Sequence, residues 1–252
     1  MAPKKLGILG GMGPLASLAF LNTIYECNRP GSIEQEYPDI ILHSLSSIPD
    51  RTRSLLSSDE DALAALLIRN LRTLNACGVA KIVICCFTSH ALIHRLPPDI
   101  KAKVVSLIEL AAQELITRRQ PSLLLASLGS YQKNVFSSTD DALKAMEYIV
   151  LPDEKDKTLI HGLIYDYLKP GVDLSPVYIA VKELLDQYAV TSFIAGCTEF
   201  HLLSRYIEVN GIPGISFIDP LISIARRMDQ ILSLPIQMDL HPVGAEAQIL
   251  NN

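Results

Sequence analysis

The chain alternates short apolar runs, several of them rich in β-branched residues, with longer stretches whose apolar residues recur at helical spacing. Eight short runs have the composition of strands buried on both faces: KKLGIL, DIILHSL, KIVICC, KVVSL, SLLLASL, EYIVL, TSFIAG and GISFI. Six longer stretches, which begin at residues 14, 59, 106, 156, 175 and 219, predict helices. Such alternation is typical of parallel sheets with helices on both faces, so the sequence predicts an α/β fold.

The position of a residue relative to these strands indicates whether it can take part in chemistry. In open α/β sheets, ligands bind beyond the carboxyl ends of the strands. The stretch Arg118-Arg119-Gln120-Pro121 is a candidate boundary between two sheets, because a second strand–helix series begins just after it. Residues that directly follow a strand are therefore the first candidates for a site.

Charge and cysteine content argue against several classes of protein. The 252 residues can form one large domain or two lobes, and a net charge of −5 without a Lys/Arg-rich run argues against nucleic acid or an anionic membrane as partner. Five cysteines without regular spacing argue against a disulfide framework. Lys4-Lys5 and the apolar stretch after them imitate a signal peptide, but GGMGP would break its helix. We expect a cytoplasmic protein without a membrane-spanning segment.

Cys86 and Cys197 end two similar segments of the chain. When these cysteines are aligned, IVICCFTSHALI lies over SFIAGCTEFHLL, and both are apolar strands followed by Cys, then Thr within two residues, then a helix. In this register Cys85 falls opposite Gly196, a position that only needs to be small. Since adjacent strand residues point to opposite faces, Cys85 is predicted to be a core thiol and Cys86 to lie at the edge of the sheet.

A cysteine at the start of a helix has a chemical advantage. The unpaired N–H groups there carry partial positive charge, which favours thiolate over thiol and can bind a carboxylate. Because the motif occurs twice, the sequence predicts two thiols that face one small acid from opposite sides. Either motif alone would be interpreted as a buried structural cysteine.

Five short motifs, spread over nearly the whole chain, occur together in one order. They are GILGGMGPLAS at 7–17, IPDRT at 48–52, CFTSH at 86–90, LKPG at 168–171 and GCTE at 196–199. With these motifs the chain resembles the aspartate/glutamate racemase family, and its aspartate racemase branch in particular. Glutamate racemases carry Asp-Ser in the first loop and His after the second Cys-Thr, where this chain has Gly-Met-Gly-Pro and Glu199.

The resemblance implies two α/β lobes related by a pseudo-twofold axis, with the active site in the cleft between them. Residues 1–110 together with a returning segment, 212–252, would form the first lobe, and residues 111–211 the second. It also implies a homodimer, a small dicarboxylic amino acid as substrate, and a reaction without pyridoxal phosphate or any other cofactor.

The resemblance further implies the residues of the site. Cys86 and Cys197 are the expected catalytic pair: one thiolate removes the Cα proton while the opposite thiol delivers a proton to the other face. The residues expected to bind substrate are Met12, Asp50, Arg51, Phe87, Thr88, Lys169, Thr198 and Glu199. No metal is expected.

Individual roles follow the family's motifs. Arg51 and Lys169 would hold the side-chain carboxylate, and Thr88 and Thr198 would receive the α-carboxylate. Phe87 stands where the family usually has Asn, so its ring is expected to narrow the cleft and favour aspartate over glutamate. Two of the acidic residues allow a second interpretation. Asp50 either meets substrate or orients its neighbour, and Glu199 either meets the ammonium or stabilises a helix N-terminus.

Other interpretations of the motifs are weaker. Gly11-Met12-Gly13-Pro14-Leu15-Ala16 fits a dinucleotide fingerprint, but the second predicted strand ends in LHSL, without the acidic residue that NAD requires. His90 and His94 lie one helical turn apart without a third zinc ligand at a known spacing. A glutamate or broad Asp/Glu racemase, a maleate-isomerase-like enzyme, and an amino-acid-binding sensor without catalysis are the functions that the sequence leaves open.

Overall fold

The computed structural model describes residues 4–31, 33–57 and 59–234, which form two parallel β-sheets flanked by helices. The first sheet, of order β2-β1-β3, contains β1 (Leu6–Gly10), β2 (Ile40–Ser44) and β3 (Lys81–Ile84). The second, of order β5-β4-β6-β7, contains β4 (Ser122–Ala126), β5 (Ile149–Val150), β6 (Ser192–Gly196) and β7 (Ser216–Ile218). The predicted α/β class with parallel sheets is confirmed.

Twelve α-helices lie in the described part of the chain. They are α1 (Pro14–Cys27), α2 (Arg51–Leu56), α3 (Glu60–Ala76), α4 (Pro98–Lys101), α5 (Leu107–Arg118), α6 (Leu128–Gln132), α7 (Asp140–Ala145), α8 (Glu154–Gly162), α9 (Ser175–Gln187), α10 (Phe200–Val209), α11 (Pro220–Arg226) and α12 (Met228–Ser233). Short 3-10 helices cover Glu34–Glu36, Thr88–Arg95, Val135–Ser137 and Met146–Tyr148, and a π-helix, Leu163–Leu168, continues α8. No helix among the described residues is long and apolar enough to cross a membrane.

The two sheets share an arrangement of strands. In the first sheet, β1 lies between β2 and β3, and in the second sheet, β4 lies between β5 and β6. Strands β3 and β6 are the ones that lead to Cys86 and Cys197. All pairs among these strands are parallel. Strands β3 and β6 therefore occupy equivalent positions, as the repeated sequence motif predicts.

The predicted strand KVVSL is not a strand. Val104 forms a single isolated bridge with Ile82. The backbone N–H groups of residues 102–104 instead donate to carbonyls three or four residues earlier, in the turn that closes α4. Since these donors are already paired, they are not free to extend the ladder on β3.

The C-terminal part of the chain returns later than predicted. Strand β7 pairs with β6, so residues 216–218 belong to the second sheet, and the predicted return at residue 212 is wrong for this strand. Helix α11, which Asp219 caps by accepting the N–H groups of Leu221 and Ile222, then packs on α1 of the first lobe. The rest of the predicted lobe division stays a prediction, and its part at 235–252 lies outside the described residues.

Candidate active site

Cys86 and Cys197 lie at the carboxyl ends of the two equivalent strands. Cys86 follows β3 and precedes the 3-10 helix at Thr88–Arg95, whereas Cys197 follows β6 directly and precedes α10. Their exposed fractions are only 5% and 6%. Burial raises the pKa of Cys197 well above its ordinary value, and the charges of Glu199 and Cys86 raise it further. The two cysteines are therefore close enough to influence each other.

Cys85 lies on the other face of the strand. It is fully buried in the apolar cluster that contains Phe20 and Phe87, while Cys86 belongs to a different cluster. Burial, the largest influence, raises the pKa of the Cys85 thiol, although a hydrogen bond with Ser17 lowers it. Cys85 is thus a core thiol, as the alignment of the two segments predicts.

Arg51, the first residue of α2, places its guanidinium beside Cys86. Nη1 donates to the carbonyls of Ile48 at 3.3 Å and Pro49 at 3.0 Å, and Nη2 donates to the carbonyl of Met12. Burial lowers the pKa of Arg51, but the charge of Cys86, to which Arg51 also hydrogen-bonds, and that of Asp50 raise it above its ordinary value. Nε is buried and has no hydrogen-bond partner among the described residues.

Asp50 connects α2 to the π-helix and to Lys169, the residue that follows it. Its carboxylate accepts the N–H of Arg53 at 2.9 Å as the cap of α2, and its Oδ2 accepts from Tyr165 at 2.6 Å and from Nζ of Lys169 at 3.2 Å. Burial raises the pKa of Asp50, but these hydrogen bonds and nearby cations lower it overall. Nζ of Lys169 also lies 3.4 Å from the centroid of the Tyr165 ring. The charge of Lys169 is thus engaged by Asp50.

Thr88 contacts two serines that follow β4 and that the sequence did not single out. Its Oγ1 lies 2.9 Å from Oγ of Ser127 and 3.0 Å from Oγ of Ser130, and all three side chains are buried. Ser127 directly follows β4 and caps α6 by accepting the N–H of Ser130. Sites in such folds lie directly after the carboxyl ends of strands, which would have made Ser127 a candidate. The predicted strand SLLLASL included Ser127, so this residue was not recognised as one that follows a strand.

Glu199 lies against Cys197. The thiol of Cys197 donates to Oε2 of Glu199 at 2.8 Å, and the hydroxyl of Thr198 donates to the same oxygen at 3.4 Å. The other oxygen, Oε1, is buried without a hydrogen-bond partner in the described structure. A Cβ atom at Gly13 would lie 2.9 Å from Oε1, so glycine at this position gives the carboxylate room beside the first loop. Thr198 also donates to the carbonyl of Cys85 at 3.4 Å.

Met12 lies in the same apolar cluster as Cys86, whereas Phe87 lies in a different one. Met12 is buried in the same apolar cluster as Cys86, and its carbonyl accepts from Arg51. The Phe87 ring instead stacks on Phe136, with ring centroids 5.6 Å apart, in the cluster that contains Cys85. Because this ring packs in a different apolar cluster from Cys86, the structure does not bring the two side chains together. The expectation that Phe87 narrows the cleft is therefore corrected.

His90 has a structural role, because both of its ring nitrogens hydrogen-bond with the backbone. The N–H of Leu107 donates to Nε2 of His90 at 3.2 Å, so Nδ1 carries the hydrogen and donates to the carbonyl of Cys86 at 3.1 Å. Burial lowers the pKa of His90 to about 4, which keeps it neutral. His94 is exposed, and no group of three potential metal ligands occurs in the described ranges. Neither histidine has the surroundings of a zinc ligand.

The Gly-rich loop does not have the features of a dinucleotide site either. Gly11 has a φ of +86°, and a Cβ atom there would lie 2.2 Å from the backbone nitrogen of Leu45. Glycine is thus required for packing between the loop and the end of β2. Strand β2 ends at Ser44 without the acidic residue that a NAD ribose would need.

Taken together, the buried groups favour a small zwitterion. One thiol lies beside a guanidinium and the other beside a carboxylate, and each of these charged groups keeps one buried atom without a partner, Nε of Arg51 and Oε1 of Glu199. A donor of this kind binds a carboxylate and such an acceptor binds an ammonium, because buried charged groups require partners. Thiols are also able to give and take protons.

Comparisons with known proteins agree with this chemistry. The sequence profile of a family described as Asp/Glu/Hydantoin racemase matches residues 9–228. A glutamate racemase from Synechococcus sp. (strain CC9605) is 27% identical over 237 residues, which are 93% of this chain and 82% of that protein. The structure of Picrophilus torridus aspartate racemase covers 92% of this chain and 100% of its own at a TM-score of 0.71 and 21% identity. An aspartate racemase homologue from Pyrococcus horikoshii OT3 gives the same coverage and identity at a TM-score of 0.63.

Proposed function

Because the chain belongs to the Asp/Glu/hydantoin racemase family, we propose that it interconverts L- and D-aspartate with Cys86 and Cys197 as its two acid–base groups. The observation that carries this proposal is the pair of buried cysteines at the carboxyl ends of the equivalent strands β3 and β6. Two thiols supply both the base and the acid of a racemisation. No task is left for pyridoxal phosphate, so we propose that the enzyme needs no cofactor.

Proton transfer at Cα proceeds through both thiols. One thiolate takes the Cα proton, the C–H electron pair stays on the substrate as a carbanion, and the opposite thiol donates its proton to the other face. The Cα–H group is a very weak acid, so cationic and N–H groups must already be in place where the negative charge develops. Burial of both sulfurs keeps water away from the carbanion.

The charged side chains are suited to hold aspartate from both ends. Nε of Arg51 is a buried donor without a partner, and we assign it to the side-chain carboxylate. Oε1 of Glu199 is a buried acceptor without a partner, and we assign it to the substrate ammonium. Thr88 and Thr198, which are both buried and follow Cys86 and Cys197 within two residues in the sequence, are assigned to the α-carboxylate. Nζ of Lys169 lies 3.2 Å from Oδ2 of Asp50. Lys169 can therefore bind the side-chain carboxylate of the substrate only if it gives up its contact with Asp50.

Glutamate is the second candidate substrate. The curated relative described above is a glutamate racemase, whereas aspartate is favoured by the Gly-Met-Gly-Pro loop and by Glu199 after the second Cys-Thr. One added methylene changes binding in a tight pocket by only about 1–3 kcal/mol, so activity on both amino acids is compatible with this site.

Chiral chromatography of L-Asp and L-Glu incubated with the pure protein, without added cofactor, tests the proposal. We expect D-Asp to form, faster than D-Glu, and the Cα proton to exchange with deuterium when the reaction is run in heavy water. Cys85→Ser is the matched control for replacement of Cys86, because the wild-type Cys85 thiol lies in the core. A sensor without catalysis would give neither product nor deuterium exchange, and a maleate-isomerase-like enzyme would leave both amino acids unchanged but isomerise maleate.

A further inference from the structure

We propose that His201 is a positioning residue for the racemisation proposed above: it fixes the turn that carries Cys197 by joining that turn to helices α1 and α11. The observation behind this inference is a row of three buried side chains, Thr23 on α1, His201 on α10 and Asp219 at the start of α11. Their exposed fractions are 1%, 0% and 3%. None of the three is among the residues assigned to substrate.

Both ring nitrogens of His201 donate hydrogen bonds. Nδ1 lies 2.8 Å from Oδ2 of Asp219, and Nε2 lies 3.0 Å from Oγ1 of Thr23. The single hydrogen of the Thr23 hydroxyl goes to the carbonyl of Ala19 at 2.8 Å, so Oγ1 accepts from Nε2. A carboxylate also only accepts, so Nδ1 carries a hydrogen as well. The ring is therefore an imidazolium that pairs with a buried carboxylate.

Asp219 is held in its ionised form from two sides. Its Oδ1 accepts the N–H groups of Leu221 at 2.9 Å and Ile222 at 3.3 Å, as the cap of α11. Burial raises the pKa of Asp219, but the charge of His201, the hydrogen bond with its ring and the N–H of Ile222 lower the pKa overall. Because one oxygen caps α11 and the other binds His201, this carboxylate ties α10 to the start of α11.

The backbone connects the anchored ring to Cys197. His201 is the second residue of α10, and its N–H donates to the carbonyl of Thr198 at 3.1 Å. The N–H of Phe200 donates to the carbonyl of Cys197 at 3.0 Å. The segment from Cys197 to His201 is thus one hydrogen-bonded turn, and a displacement of His201 would displace the thiol.

A buried ion pair is better suited to fix an arrangement than to add stability. The cost of removing two charges from water offsets most of their attraction, so such a pair contributes little compared with apolar side chains of similar size. It does require each charged group to stay within reach of its partner, because an unpaired buried charge is costly. The segment after Cys86, a 3-10 helix at Thr88–Arg95, contains no member of the row. The two thiols should therefore depend on His201 unequally.

Elimination of chloride from threo-3-chloroaspartate measures each thiol separately. When a thiolate takes the Cα proton, the C–H electron pair forms a Cα=Cβ double bond, and chloride leaves with the C–Cl electron pair. Water then converts the enamine into oxaloacetate and ammonium. This reaction needs a base on one face and no acid on the other. Cys86→Ser and Cys197→Ser should each lose elimination from one enantiomer only, and this identifies the enantiomer that uses each thiol.

The amide of His201→Asn can still donate to Asp219 but no longer reaches Thr23. A reacting group misplaced by about 1 Å costs roughly a hundredfold in rate. We therefore expect elimination from the enantiomer that uses Cys197 to fall at least about tenfold relative to the other enantiomer. Thr23→Val removes the acceptor on α1 and should have the same effect, which keeps the test decisive if His201→Asn does not fold.

Two further variants separate positioning from charge and from general helix contact. In Asp219→Asn, the amide oxygen can cap α11 and the amide nitrogen can donate to Nδ1 of a neutral His201, so the ratio of the two elimination rates should stay near that of the wild type. Arg205→Gln is the matched control, because Arg205 pairs with Glu26 in a partly exposed second contact between α10 and α1. Such a pair contributes little, so the ratio should not change.

Nuclear magnetic resonance tests the row without any substrate. Long-range proton–nitrogen spectra of the full-length protein labelled with 15N-histidine show which ring nitrogens carry hydrogen, and comparison with the variants assigns His201 among the six histidines. We expect a hydrogen on both nitrogens of His201. A ring without hydrogen on Nε2, a ratio of elimination rates that stays unchanged in folded His201→Asn and Thr23→Val, or the same change in Arg205→Gln would overturn the inference. A wild type that neither racemises aspartate nor eliminates chloride would instead refute the proposed function, and the spectra would still decide whether the row exists.

Discussion

Replacement of Arg51 by Leu removes a buried guanidinium that interacts with Cys86. The wild-type side chain donates to the carbonyls of Met12, Ile48 and Pro49. At about 1 kcal/mol for each hydrogen bond, their loss reduces the free energy of unfolding by about 3 kcal/mol, and a chain of this size loses roughly 6–12 °C in Tm. The protein should nevertheless stay folded, because Leu has an apolar side chain suited to a buried position.

The effect on catalysis should be larger. Truncating one partner of a buried charge pair costs about 2–5 kcal/mol, which corresponds to a roughly 30-fold to several-thousand-fold loss of kcat/KM for aspartate. Initial rates of L-Asp racemisation, followed by chiral chromatography, measure this loss, and circular dichroism with thermal unfolding measures the stability. Arg53→Leu is the matched control, since Arg53 lies on the same helix with an exposed side chain.

Two results would count against this reasoning. Unchanged kcat/KM in a folded Arg51→Leu would remove Arg51 from the site. An equal loss in Arg53→Leu would mean that helix α2 as a whole, and not the guanidinium beside Cys86, is what matters.

Three further predictions concern buried residues. Cys86→Ser and Cys197→Ser should each abolish racemisation while Cys85→Ser keeps most of it, because Cys85 is in the core; activity assays on the three purified variants decide this. Because the Phe87 ring stacks on Phe136 in the core, Phe87→Asn should lower the free energy of unfolding by about 3–5 kcal/mol, as a Phe→Ala substitution in a core does. The Asp:Glu ratio of kcat/KM should stay the same. A changed ratio at unchanged stability would contradict the position of the ring in the core. Burial lowers the pKa of His90 to about 4, so between pH 6.5 and 4 the unfolded chain binds a proton that the folded chain does not. The contribution of neutral His90 to the free energy of unfolding is therefore fully present above about pH 6.5 and is lost as the pH falls toward 4. Denaturant titrations should show a decrease of about 2–3 kcal/mol over this range, and His90→Gln should make the decrease smaller.

The outcomes at three positions show why parts of the fold were not predictable from sequence. KVVSL has strand composition, but the N–H groups of Lys103 and Val104 already close the turn after α4, and this competition depends on where α4 ends. Strand β7 is short and joins the second sheet because β6 offers a free edge, which no local pattern reveals. Phe87 was expected to line the cleft, but its ring stacks on Phe136, a partner far along the chain that no local pattern reveals.

The sequence by itself determined the α/β class, the equivalence of the two cysteine motifs, and the choice of Cys86 over Cys85. These features follow from local periodicity and from the alternation of side chains along a strand, which do not depend on distant contacts. Only the tertiary structure decided which polar and charged groups meet. Asp50 with Lys169, Thr88 with Ser127, and Arg51 with Cys86 are each separated by at least 35 residues. Asp50 and Thr88 meet partners from the second half of the chain because the carboxyl ends of the two sheets lie against each other, whereas Arg51 and Cys86 both belong to the segment of the first sheet. Burial excludes water from these contacts, so polar groups pair with one another there.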